Sequence, residues 1–265
     1  MDITGYIAAV FIGVSLGLIG GGGSILTVPV LVYLFGVDPV LATTYSLFVV
    51  GVTSVAGSYS YFKKRLINIK TAIVFGLPSI ALVFLTRAFV IPLIPLEIFS
   101  VGSFTVTRSI LLLLLFAVLM VFASGKMISR CKGCNEEAAA IGKLKYRLAS
   151  IQGGFVGFVT GLIGAGGGFL IIPALVNLLN LPMKVAIGTS LLIIAVNSLA
   201  GFVFSLHHAN INWFFLLRVS AMAVTGIFAG SFLSTKINGK KLKPAFGWFV
   251  LVMGVYIILK ETVYH

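Results

Sequence analysis

Residues 17–29 read GLIGGGGSILTVP, and residues 161–173 read GLIGAGGGFLIIP. Each stretch sets a run of glycines and other small residues inside an apolar segment and follows it, at the same interval, with a proline. Glycine carries the largest chain-entropy penalty and offers no side chain to pack, so an uninterrupted membrane helix has no use for such a run. Laying the chain on itself at an offset of 144 residues places Gly17, Gly20, Gly22, Gly23, Pro29, Ser46, Ser54 and Gly57 over Gly161, Gly164, Gly166, Gly167, Pro173, Ser190, Ser198 and Gly201. Shared greasiness would match Leu with Ile, but it would not register scarce prolines and the glycines of a break. The chain therefore reads as a duplication, with a first copy over 1–125, a polar loop over 126–147 and a second copy over 148–265. The match fades after Gly57, and the later segments pair by their order alone.

The composition fixes the class. Of 265 residues, 59% are hydrophobic and 9% charged, with a mean hydropathy of +1.15, so the chain reads as an integral membrane protein. Apolar stretches long enough to cross a bilayer run over 40–62, 69–91, 107–125, 184–206, 213–235 and 243–260, leaving the two glycine-broken regions at about 3–36 and 148–181. The opening MDITGYIAAVFIGVSLGL carries an acid where a secretory leader would carry Lys or Arg, which predicts retained structure. The net charge of +13 would suggest nucleic acid in a soluble protein. Here the basic residues sit in short loops, where they set orientation and meet anionic lipid, so no nucleic-acid partner is expected. Cys131 and Cys134 form a lone CxxC with no further ligand in their loop, so they read as reduced thiols, and neither metal nor cofactor is expected.

Charge also decides between two topologies. If each broken region crosses once, Lys236, Lys240, Lys241 and Lys243 fall on the opposite side from Lys63, Lys64, Arg65 and the 126–147 loop, against the positive-inside rule. If each region instead enters, turns at its glycines and leaves where it entered, all three basic clusters share the cytoplasmic side, and Asp38 and the 207–210 turn face out. The expected fold is therefore an all-α polytopic membrane protein of two inverted repeats, each a glycine-broken re-entrant hairpin plus three transmembrane helices.

Irregular backbone at membrane depth must be buried in protein or line a wet cavity. Pro29 and Pro173 suit a first helical turn, which predicts a short helix starting just after each glycine run. Its positive end and free N–H groups favour an anion, and two inverted tips would bring two such ends near the midplane. The candidate substrate residues are Gly20, Gly21, Gly22, Gly23 and Ser24 at the first break and Gly164, Gly166, Gly167 and Gly168 at the second. Thr43, Thr44 and Ser46, with Thr189 and Ser190, lie at the starts of the following spans and can donate hydroxyls; each could equally bond the carbonyl one turn back. Asn197, aligned with Thr53, lies deeper. Arg87 and Arg108 bracket the outer loop, and Arg218 lies about 8 Å inside its span by the 1.5 Å rise per residue, either facing an anion or snorkelling to headgroups.

On these residues the chain resembles the TauE/SafE group of sulfite and organosulfonate transporters, in the TSUP superfamily, over essentially its whole length. The two glycine breaks, ATTYS at 42–46, AIGTS at 186–190 and GIFAGS at 226–231 carry the resemblance. It implies transport of sulfite, sulfoacetate or a related small anion. The first copy departs from the pattern, since GLPSIALVF at 76–84 lacks a second small-residue break and Pro92 and Pro95 follow.

All six acids, Asp2, Asp38, Glu97, Glu136, Glu137 and Glu261, fall outside the spans, which speaks against a carboxylate proton relay. His207 and His208 read as a solvated outer turn. No nucleophile with a base and no metal cluster is legible, so no enzyme is expected. The sequence predicts a secondary transporter, with export favoured, of a small sulfur-containing anion or of another small carboxylate or oxyanion, in a bacterial cytoplasmic membrane. A homodimer is compatible with it, and a non-transporting scaffold is the reading of another class.

Overall fold

The computed structural model describes residues 3–90, 93, 95, 97–101, 104–128, 143–163, 168–177, 179, 181–206, 211–237 and 239–263. In chain order they form α1 (Ile3–Ile19), α2 (Gly22–Tyr33), α3 (Pro39–Lys63) and α4 (Ile69–Leu85), which loosens into a π-helical stretch over Thr86–Val90. A hairpin of β1 (Glu97–Val101) and β2 (Phe104–Thr107) follows, then α5 (Arg108–Ile128), α6 (Lys143–Ile163), α7 (Gly168–Asn177), α8 (Met183–Ser205), α9 (Trp213–Lys236) and α10 (Gly239–Val263). The antiparallel hairpin, closed between Val101 and Phe104, amends the all-α expectation at one outer loop.

Among the described residues, four helices are long and apolar enough to cross a membrane: Pro39–Lys63, Ile69–Val90, Met183–Ser205 and Trp213–Ser234. They coincide with four of the six apolar stretches, and α5 and α10 cover the other two. The chain is a helical integral membrane protein.

Local sequence sets the helix starts. Asp38 Oδ1 accepts from the Val40 and Leu41 N–H groups at 2.9 and 3.2 Å, with Pro39 in the first turn, where its missing N–H is harmless. Asn68 caps α4 by accepting from Thr71 N–H at 3.1 Å, and Asn212 caps α9 by accepting from Phe215 N–H at 3.2 Å. Both pairs stand 144 apart, so the internal register continues past Gly57, where residue identity fades. The turns after the short helices repeat too: Val37 N–H donates to Leu31 C=O at 3.0 Å, and Leu181 N–H to Leu175 C=O at 3.1 Å.

The first broken region is a hairpin. Gly20 takes φ +79°, a left-handed conformation that ends α1 and that side-chain-bearing residues avoid. After α2 the Phe35 ring meets Tyr6 edge-on at 6.1 Å and lies against Gly5, so the chain returns to where α1 began. The second break, 164–167, lies outside the described residues. Its flanking helices come back together in the cluster that holds Ala149 near the start of α6 with Leu175, Leu179 and Leu181 at and beyond the end of α7.

Each long hairpin helix runs parallel to a helix of the other half. A Cβ at Gly13 would overlap the Ala223 carbonyl, one at Gly226 that of Val10, and one at Gly230 that of Val14, so α1 and α9 advance together. In the same way Gly153 faces Phe75, Gly157 faces Ser79 and Gly161 faces Thr86, setting α6 along α4. The Gly13–Ala223 and Gly157–Ser79 contacts are the same contact displaced by 144 residues and exchanged between halves. Between these pairs α3 and α8 cross antiparallel, with Gly51 against Leu199, Gly57 against Leu191 and Gly201 against Leu47. Thr53 and Asn197, both fully buried, stand near the crossing. Val28 of α2 and Ile172 of α7 share a cluster with Ala117 and Met120 of α5 and Val250 and Ile257 of α10.

These directions gather Lys63, Lys64, Arg65, Arg147, Lys184 and Lys236 at one end, here the Lys63 end, opposite the Asp38 end. Two expectations are corrected. Pro29 and Pro173 stand in the interiors of α2 and α7, because both helices begin earlier, at Gly22 and Gly168. Each proline withholds the N–H that would serve the carbonyl four residues back. The first tip also lies off the middle: Gly20 rests on Ile187 and Ser190, early in α8 and about 10 Å short of Asn197 by the helical rise. The 17 residues of α1 carry the chain about 25 Å before it turns, most of a bilayer's hydrocarbon depth.

The glycine seams make a direct prediction. Gly226→Val forces a branched side chain into the Val10 backbone and lowers stability by about 1–3 kcal/mol. Gly125→Ala, where a Cβ meets nothing within 4 Å, loses none. Thermal unfolding of both variants in detergent checks the contrast.

Candidate functional site

The site is built around the first break. Gly20 and Gly21 are buried, and α2 starts there with Gly21, which carries no side chain, at its N-cap. Gly22, Gly23 and Ser24 supply the first turn of α2. A buried helix start favours negative charge. Gly168 is buried at the start of α7, while Gly164, Gly166 and Gly167, like Cys131, Cys134, His207 and His208, lie outside the described residues.

The predicted hydroxyls divide. Thr43 donates to Val40 C=O at 2.8 Å and Ser190 to Ile187 C=O at 2.9 Å, the local back-bond that competes with ligand binding. Thr189 Oγ1 accepts from Asn68 N–H at 2.9 Å, so it ties the start of α4 to α8. Tyr45, at Thr189's position in the first half, mirrors this: its hydroxyl accepts from Asn212 N–H at 2.8 Å. Thr44 is buried, and Ser46 Oγ is buried with no partner among the described residues. The hydroxyls of Ser54 and Ser198, 144 apart and next in sequence to Thr53 and Asn197, are also buried without partners among the described residues. Asn197 Nδ2 donates to Ser79 Oγ at 2.6 Å, leaving its Oδ1 without a described partner. Ser79 was not singled out in the sequence, because nothing local marks it.

The three arginines part company. Arg218 is exposed on the outer face of α9 and stacks over the Phe214 ring at 3.6 Å, which agrees with the snorkelling alternative better than with an anion contact inside the protein. A guanidinium on an exposed aromatic ring gains cation–π stabilisation without a cavity. Arg108 begins α5, and its side chain lies outside the described part. Arg87 turns inward from the π-helical stretch and is only 8% exposed. Its Nη1 donates to Ser205 Oγ at 3.3 Å, whereas Nε and Nη2 have no partner among the described residues. Ser205 in turn donates to Gly201 C=O at 2.8 Å, which fixes its oxygen as an acceptor for Arg87.

Toward the Lys63 end, buried Tyr61 donates its hydroxyl to Gly17 C=O at 3.0 Å and shares a hydrogen bond with Ser234. Gly17 is in the last turn of α1, whose carbonyls lack helical donors, so Tyr61 supplies one. The offset of 144 lays Tyr61 on Ser205 and Arg87 on Ser231. Equivalent places in the two halves thus hold neutral hydroxyls at one end and a guanidinium at the other. The sequence carried this signal in its register, but only contacts reveal which partners use it.

A recess of about 480 Å³ opens at the Asp38 end, lined among others by Phe35, Val37, Asp38, Leu41, Tyr45 and Asn212. It does not include the residues of the break, and its carboxylate is already engaged in capping α3. Among the described residues no three of His, Cys, Asp and Glu gather as metal ligands.

The profile of the family described as sulfite exporter TauE/SafE matches residues 6–257. The chain belongs to the TauE/SafE family. Its relatives include a protein of Xylella fastidiosa strain Temecula1 named "probable membrane transporter protein", 31% identical over 259 residues, covering 94% of this chain and 92% of the relative. Bacillus subtilis strain 168 has the "probable membrane transporter protein YunE", 30% identical, with 91% and 89% covered. A Methanocaldococcus jannaschii "probable membrane transporter protein" is 26% identical, with 96% and 94% covered. The likeness to these relatives covers 89–96% of each partner.

Tyr61→Phe removes the bonds to Gly17 and Ser234 while keeping the ring. It costs about 1 kcal/mol, measured as a lower unfolding midpoint in detergent, whereas Arg218→Gln on the outer face changes the midpoint little.

Proposed function

We propose that this chain is a secondary transporter that exports a small sulfur-containing anion, such as sulfite or an organosulfonate, by alternating access around its two glycine breaks. The observation that carries the reading is the buried break at Gly20–Gly21, where the chain turns at φ +79° into the start of α2, in a protein whose relatives, matched over about nine-tenths of their length, are named as transporters. In this reading the halves 1–125 and 148–265 are inverted copies joined by the 126–147 loop, and each break belongs to a re-entrant hairpin. The repeated caps, the exchanged Asn68–Thr189 and Asn212–Tyr45 bonds, and the return of Phe35 to Tyr6 support it. The basic Lys63 end faces the cytoplasm by the positive-inside rule, so the recess at Asp38 opens outward.

Direction follows from charge. A cytoplasm-negative potential of 100 mV drives a monovalent anion outward by about 2.3 kcal/mol, so export proceeds without a coupling ion. Gly20, Gly21, Gly22, Gly23 and Ser24 offer the amide-rich start, with Gly164, Gly166, Gly167 and Gly168 as the counterpart. Ser46 and Asn197, which keep unspent polar atoms, are better placed to meet the solute than Thr43, Thr189 and Ser190, whose hydroxyls are engaged.

Gly20→Val meets Ser190 and Ile187 and cannot hold φ +79° without strain, so it abolishes transport of labelled sulfite in proteoliposomes while the protein still inserts. Full activity of that variant refutes the role given to the break. Transport of a plain carboxylate in place of sulfite and a monoanionic organosulfonate by the unaltered protein reassigns the solute.

A further inference from the structure

We propose that Arg87 is the charge-selecting residue of the transported solute: its free Nε–Nη2 edge holds two oxygens of a singly charged oxyanion, and a dianion is refused. The inference rests on the transport reading and adds to it a residue, a pair of atoms and a charge state.

Three observations carry it. The Arg87 side chain is more than nine-tenths buried. Its one hydrogen bond, from Nη1, goes to a neutral serine whose oxygen is already oriented by Gly201. The two nitrogens left over are not an arbitrary pair. In a guanidinium, Nε–H and the outer N–H of Nη2, the terminal nitrogen trans to Cδ, point the same way in one plane. That edge matches two oxygens of a carboxylate, sulfonate or hydrogensulfite, and it is the fork through which arginine binds such groups bidentately. An ordinary structural arginine at this depth would spend the edge on a carboxylate, and none occupies it among the described residues.

The surroundings decide the charge. Thr86 hydrogen-bonds its own helix at Leu82, and Ser205, the hydrogen-bond partner of Arg87 among the described residues, is uncharged. A buried cation without a counter-charge is unfavourable, and one negative charge converts it into a neutral pair. A second negative charge would remain uncompensated where the dielectric is low, since no other described cation accompanies Arg87. Position agrees with a role in the pathway. Thr86, next to Arg87, packs on Gly161 in the last turn of α6, from which the chain runs into the second break. π-helical stretches recur at functional sites because they redirect a side chain that a regular turn would aim elsewhere, and Arg87 sits in one.

The test uses purified full-length protein in phospholipid-free detergent, with methanesulfonate as a permanent monoanion and sulfate as a dianion. Calorimetric titration of the wild type gives methanesulfonate binding at least tenfold tighter than sulfate. Arg87→Lys keeps the charge but not the fork and weakens methanesulfonate tenfold or more, whereas Arg87→Gln abolishes binding. Without ligand, Arg87→Gln unfolds no earlier than wild type, because it removes an uncompensated buried charge. Ser205→Ala, which releases Nη1 and keeps the fork, still binds methanesulfonate and covers the case in which a variant at 87 fails to fold. Short-chain phosphatidylglycerol, whose phosphodiester offers the same two oxygens, does not displace methanesulfonate; displacement would make Arg87 a lipid site and overturn the proposal. Equal affinity for sulfate, or unchanged methanesulfonate binding in Arg87→Gln while sulfite is still transported, overturns it and leaves the transport reading standing. Absence of both binding and transport of any oxyanion in the wild type defeats both.

Discussion

The structure depends on backbone meeting backbone without side chains between. Gly13, Gly226 and Gly230 let α1 lie along α9, and Gly153 and Gly157 let α6 lie along α4, at separations where any Cβ would overlap a carbonyl. In lipid there is no hydrophobic drive between apolar helices, so close van der Waals packing of small residues holds them together. These seams join halves of the sequence rather than neighbours in it. Each long hairpin helix is held by a helix of the other half, and neither hairpin has a place to dock without its counterpart.

That exchange explains how an irregular stretch is tolerated. Gly20 leaves its helix at φ +79° and is buried on Ile187 and Ser190, while Tyr61 supplies a donor to the Gly17 carbonyl just before the turn. The break is therefore enclosed by protein and not by hydrocarbon, as unpaired backbone requires. The bonds of Asn68 to Thr189 and of Asn212 to Tyr45 fasten the two central helices to the starts of the next ones in the same exchanged sense. Hydroxyls and amides do this work throughout the interior, and the buried charge of Arg87 stands out against them.

The two ends of the molecule are alike in backbone and unlike in chemistry. Where the Lys63 end has Tyr61 and Ser234 closing on α1, the equivalent place toward the Asp38 end has Ser205 and Arg87. The TauE/SafE family likeness spans both ends.

The sequence by itself determined the membrane class, the six apolar stretches, both glycine breaks and the register of 144 residues. Each follows from composition or from strictly local signals: hydropathy, glycine and proline, and Asp38, Asn68 and Asn212 as caps. Only the tertiary structure decided which polar side chains are free. The sequence sets Arg218 inside a span and Arg87 at the edge of a loop, yet Arg218 stacks on Phe214 facing outward and Arg87 is buried beside Ser205. Thr189 and Ser46 look equally available, yet one is taken by Asn68 and the other by no described residue. The depth of the first tip and the interior placement of Pro29 and Pro173 were likewise invisible, because they depend on where a helix begins and what it leans on. A helix whose surroundings are apolar on every side carries no mark in its sequence of which face will be inside; its neighbours, brought from the other half of the chain, make that choice.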